Sequence, residues 1–107
     1  MWRREWKVLL EEEDRLVVVD FTAVWCGPCQ RIAPSFEAMA EEFVESAIFV
    51  KVDVDELPEL AAQLGVTSMP TFLFYRRGER IDMLRGADED GLRRLVTEHT
   101  SGLPAAA

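Results

Sequence analysis

Apolar residues follow two rhythms along this chain. Leu16-Val17-Val18-Val19-Asp20-Phe21 is a β-branched run without polar alternation, the pattern of a central strand covered on both faces. Asp20 is the one polar residue inside it. Elsewhere the helical period takes over. Trp2, Trp6, Leu9 and Leu10 recur at i, i+4, i+7 and i+8 and predict an N-terminal amphipathic helix, with Glu11 to Asp14 as its polar exit. Ile32, Phe36, Met39, Ala40 and Phe43 mark one face of a long helix, and Pro34 inside it predicts a kink. Ala47 to Asp55 reads as the next strand, and Pro58 to Leu64 as a short helix closed by Gly65. Thr71 to Tyr75 and Arg80 to Leu84 flank Arg76-Arg77-Gly78-Glu79, a hairpin in which Gly78 supplies the positive φ. Asp88 is a good N-cap for a last helix that turns Leu92, Leu95 and Val96 inward. Strands alternating with helices define an α/β layer fold.

The 107 residues suit one domain spanning 1–107, with Ser101 to Ala107 as a frayed tail. Lys plus Arg number 12 against 20 Asp plus Glu, a formal charge of −8, which argues against a nucleic acid or an anionic membrane as partner. No apolar run approaches the roughly 18 residues of a spanning helix, and the first ten residues lack an export signal's apolar stretch. The expected location is cytoplasmic, or organellar after trimming of a targeting segment.

Two cysteines occur, in Trp25-Cys26-Gly27-Pro28-Cys29, so the motif is either a redox pair or half of a metal site. Structural zinc wants four ligands, and the single histidine, His99, lies far along the chain, so we expect no metal. The motif falls at a strand-to-helix junction. Cys26 at the helix N-terminus meets unpaired N–H groups and the positive end of the macrodipole, which favour thiolate over thiol. It is the expected nucleophile, and Cys29, one turn further on, the more buried resolving thiol. Gly27 and Pro28 fix the backbone between them. An unpaired carboxylate inside a covered strand should hold its proton, so a raised pKa is expected for Asp20. Pro70 follows Met69 just before a strand, where a cis bond would set a tight turn.

Val19-Asp20-Phe21, Trp25-Cys26-Gly27-Pro28-Cys29, Pro34, Ser68-Met69-Pro70-Thr71-Phe72, Gly78 and Gly86-Ala87 resemble the thioredoxin family in order, spacing and identity over about residues 14–100. Val52-Asp53-Val54-Asp55 and the Met before Pro70 resemble its cytosolic animal and plant members. The resemblance implies a three-layer α/β/α sandwich around a mixed sheet and a protein-disulfide reductase with no bound cofactor. It also implies an electron donor of the thioredoxin reductase kind and disulfide-containing clients. Under it, Asp20 moves the Cys29 proton and Lys51 pairs with the Asp20 carboxylate. Pro70 faces the cysteines and keeps metal from them. Trp25, Gly65, Val66, Met69, Gly86 and Ala87 line an apolar groove, and Asp55 anchors the Trp25 indole.

Three departures modify that picture. The residues before Leu16 read as helix alone, so the family's first edge strand is expected to be missing, leaving Ala47 to Asp53 as an edge open to weak homodimerisation. Otherwise the chain is a monomer. Arg85 stands where the family has a small or apolar residue, and Gln30 replaces a common basic one. Two other classes compete with the reductase: a protein-binding module on the same fold, and a disulfide oxidase or isomerase.

Overall fold

A computed structural model of the protein describes Trp6, Leu10, Glu11 and residues 14–101. Within them run β1 (Leu16–Thr22), α1 (Gly27–Glu42), β2 (Ala47–Asp53), α2 (Pro58–Gln63), β3 (Thr71–Arg76), β4 (Glu79–Arg85) and α3 (Glu89–Thr100). The sheet order is β2-β1-β3-β4. β1 pairs with β2 in parallel and with β3 antiparallel, and the β3–β4 hairpin completes a mixed sheet. Among the described residues no strand pairs with the outer edge of β2.

The two inner strands are apolar on both faces because both faces are covered. Leu16 and Val18 of β1 join Phe72 and Phe74 of β3 in one core with Ile32, Phe36 and Met39 of α1 and Leu92, Leu95 and Val96 of α3. Val17, Val19 and Phe21 join Leu73 and Tyr75 in the opposite core, under Leu60 and Ala61 of α2 and under Trp6 and Leu10. The result is the expected three-layer sandwich. Phe21, Phe72 and Phe74 are fully buried, each contributing roughly 1.5–3 kcal/mol. Trp6 is helical and packs edge-on against Phe21 and Tyr75, with ring centroids 6.2 and 5.6 Å away. Trp2, Leu9 and the tail beyond Ser101 lie outside the described residues.

Local chemistry explains the boundaries. Arg77 and Gly78, at φ 52° and 82°, form a two-residue turn whose twist matches the strands; β3 and β4 therefore extend a residue further into the hairpin than the pattern predicts. β2 stops at Asp53 because its carboxylate accepts from the Asp55 N–H (2.8 Å) and its carbonyl from Leu57 N–H (3.0 Å), turning the chain two residues early. Gly65 (φ 75°) closes α2: its N–H bonds the Ala62 carbonyl, and Val66 N–H bonds that of Ala61, a Schellman pattern. Asp88 caps α3 by accepting from Gly91 N–H at 2.9 Å. α1 runs from Gly27 to Glu42 with Pro34 inside it.

Candidate active site

β1 delivers the chain to a short loop, Ala23-Val24-Trp25, from which α1 departs. The Cys26 N–H bonds back to the Ala23 carbonyl at 3.2 Å, and Cys26 itself is the N-cap, extended at φ −89° and ψ 109°. Its Sγ accepts the otherwise unpaired N–H of Cys29 at 3.2 Å, the role that an oxygen plays in most N-caps. Pro28 sits in the first turn, where its missing N–H costs nothing. Cys26 and Cys29 are joined by a disulfide across 5.3 Å between Cα atoms. Both are buried, Cys29 (1% exposed) more than Cys26 (5%).

Cys26 is the sulfur nearer the surface, and what surrounds it is exposed. Gly27 and Pro28 are open to solvent on one side, Trp25 and Val24 on the other. The Trp25 indole is fixed by donating to Asp55 Oδ2 at 2.8 Å. From the start of β3, which pairs antiparallel with the end of β1, comes Met69, whose carbonyl lies 3.7 Å from Cys26 Sγ. The Met69–Pro70 bond is cis and Pro70 is buried. Around that turn, Thr71 Oγ1 donates to the Ser68 carbonyl at 2.6 Å and Gly86 N–H to the Pro70 carbonyl at 2.9 Å. The fold thus assembles Trp25, Cys26, Gly27, Pro28, Cys29, Met69, Pro70, Gly86 and Asp55. Gly65 lies at the end of α2, Val66 packs into the core on the α2 side and Ala87 into the core under α1; none of the three bonds to the cysteine pair.

Asp20 is almost completely buried, and its Oδ1 has no hydrogen-bond partner. Desolvation pushes its pKa up to about 6, against the opposing pull of the Lys51 charge. The expected Asp20–Lys51 pair is not formed. Lys51 faces Asp20 across the parallel ladder, yet its Nζ binds Glu37 Oε1 at 3.2 Å. The reason is solvation. A long stem lets the ammonium reach a carboxylate at the wet rim of α1, whereas meeting Asp20 would strip its water.

Three residues that the sequence does not place in the site also shape it. Val24 is the most exposed large apolar residue beside the cysteines, and Val54 packs against Ala23, Cys26 and Cys29. The adjacent apolar pair Val24-Trp25, in a loop, was the available signal. Gln30 donates through Nε2 to the Ala23 carbonyl at 3.2 Å, tying the cysteine loop to α1. The lone histidine is occupied elsewhere: His99 Nε2 lies 2.8 Å from Asp82 Oδ2 and holds the Asp82 carboxyl below its ordinary range.

Comparison with known proteins agrees with this geometry. The thioredoxin family model matches residues 1–98. Thioredoxin H4 of Arabidopsis thaliana is 49% identical over 98 residues, covering 89% of this chain and 82% of its own. The thioredoxin structure of Plasmodium falciparum superposes with a TM-score of 0.86 at 40% identity, over 91% of this chain and 93% of its own. A structure described for the thiol-resolving mechanism of yeast mitochondrial 1-Cys peroxiredoxin through glutathione and thioredoxin systems matches at TM-score 0.83 and 33% identity, covering 89% and 88% of the two chains. The chain belongs to the thioredoxin family. It is a protein dithiol–disulfide oxidoreductase, and Cys26–Cys29 is its redox disulfide.

Proposed function

We propose that the protein works in the reducing direction, with Cys26 as nucleophile, Cys29 as resolving thiol and Asp20 as the group that moves the Cys29 proton. In the dithiol form, the Cys26 thiolate attacks one sulfur of a client disulfide. That bond breaks, the other client sulfur leaves as a thiolate that takes a proton from solvent, and Cys26 is left in a mixed disulfide. Cys29 then passes its proton to Asp20 and attacks Cys26 Sγ. The second client sulfur leaves, and the Cys26–Cys29 bond forms. Two electrons have moved to the client, and a thioredoxin reductase-like donor returns the pair to dithiol. No bound cofactor takes part.

The observation that carries this reading is Cys26 Sγ, capping α1 and 3.7 Å from the Met69 carbonyl. The helix terminus stabilises a thiolate there, and the open backbone of Met69 offers strand-like pairing to an extended client segment. Trp25, Gly27, Pro28, Pro70 and Gly86 complete the groove, with Gly65, Val66 and Ala87 at its margins. Lys51 supplies a distant positive charge to Asp20, and Asp55 and Pro34 support the site. The proposal extends to a cytoplasmic or other reducing compartment, to a single domain, and to a monomer or weak homodimer through the β2 edge. No helix of the described residues is long and apolar enough to cross a membrane. Redox titration of the pair, with NADPH-coupled insulin reduction by a thioredoxin reductase, tests the direction. A potential in the range of reducing thioredoxins and sustained turnover are expected; a far more oxidising potential makes the protein a disulfide oxidase.

A further inference from the structure

Side chains alternate across a strand, so Asp20 shares the face of Leu16 and Val18, the face that α1 and α3 cover. Around it, β3 brings Phe72 and Phe74, and α3 brings Leu92, Leu95 and Val96. The charges of α3 lie outside this core, with Arg93 paired to Glu42. α1 brings Cys29, which titrates only when the disulfide is open, and Glu37. β2 brings Lys51, which faces Asp20 in the ladder. One ammonium therefore stands between two carboxylates. It bonds Glu37 at 3.2 Å, and Asp20 Oδ1 is left without a partner.

We infer that Glu37 is a positioning residue for the exchange reaction: it holds the Lys51 ammonium at the rim of α1, off Asp20, and so preserves the affinity of the buried carboxylate for the Cys29 proton. The catalytic consequence rests on the role proposed above for Asp20; the coupling among the three residues does not. A carboxylate that drew Lys51 onto itself would bind a proton less tightly and be a poorer acceptor for the thiol. Glu37 withholds that charge without itself entering the core, since its side chain is two-thirds exposed (67%).

The test is a carboxyl-carbon NMR titration of Asp20 in the oxidised protein, where neither cysteine titrates. Glu37→Gln should lower the Asp20 midpoint, raising its acid dissociation constant about threefold, the scale on which solvent-exposed pairs act. Glu37→Asp should restore the parent value, and Lys51→Met should raise the midpoint. In a Lys51→Met background, Glu37→Gln should no longer move it appreciably. An Asp20 midpoint unmoved by Glu37→Gln overturns the inference. An equal shift with and without Lys51 overturns it too, because Glu37 then acts on Asp20 directly. Failure of the Asp20 role itself is read separately, as unchanged insulin turnover in Asp20→Asn.

Discussion

The Met69 carbonyl lies 3.7 Å from Cys26 Sγ although 43 residues separate the two in the chain. The turn at Met69–Pro70 therefore places a backbone carbonyl beside the reactive sulfur. A client held there in extended form should donate a backbone N–H to it. A peptide disulfide N-methylated at that position should show a KM about tenfold above that of its unmethylated parent, with kcat changed much less. Equal KM values would mean that clients do not pair with this strand.

Asp20 makes stability depend on pH. Its carboxyl ionises at about 6 in the fold against an ordinary 3.8, so the folded state binds a proton that the unfolded chain has already released. Its contribution is full below about pH 4, falls as pH rises toward 6 and stays low above that. Asp20→Asn mimics the protonated form. In urea unfolding of the oxidised protein it should match the parent near pH 4 and exceed it at pH 8, by up to about 3 kcal/mol. A variant no more stable than its parent at pH 8 would show that burial does not penalise this carboxylate.

The indole–carboxylate bond from Trp25 to Asp55 spans 2.8 Å at the surface. Trp25 is 65% exposed, so the bond orients the ring more than it stabilises the fold. Asp55→Ala should cost less than about 1 kcal/mol in unfolding experiments, yet raise KM for insulin about threefold or more while kcat holds. A loss confined to kcat would place Trp25 outside client binding.

Much of this was legible in the residues. The apolar run through β1, the helical faces of α1 and α3, the Asp88 cap and the Gly78 turn are local signals, and a local signal survives folding. The cysteine motif names its own chemistry because two thiols one helical turn apart can close a ring. The partner of Lys51 was not legible. Ladder register brought Lys51 beside Asp20, but solvation decides which carboxylate an ammonium joins, and Glu37 reaches it from another element. Gln30 likewise drew notice for the charge it lacks, whereas its hydrogen bond to Ala23 depends on how the loop folds over α1. Val54 needed the turn after β2 to bring it against the cysteines.

The β3–β4 turn offers a test of the fold apart from the chemistry. Gly78 sits at φ 82°, and a Cβ there would lie 3.3 Å from Glu11 Cγ. Gly78→Val should therefore destabilise by about 1–3 kcal/mol in urea. Arg77→Asn keeps a residue that tolerates φ 52° and loses only the exposed pair with Asp14, so a change within about 0.5 kcal/mol is expected. Equal losses at both positions would contradict the turn geometry.

The central claim is that Cys26 attacks and Cys29 resolves, and covalent trapping tests it most directly. Reduced Cys29→Ser, mixed with an oxidised protein client, should accumulate a mixed disulfide through Cys26, seen as one covalent adduct by non-reducing mass spectrometry and lost on adding dithiothreitol. Cys26→Ser should form none and should have no turnover. An adduct that forms through Cys29 in Cys26→Ser while Cys29→Ser stays free would contradict the assignment.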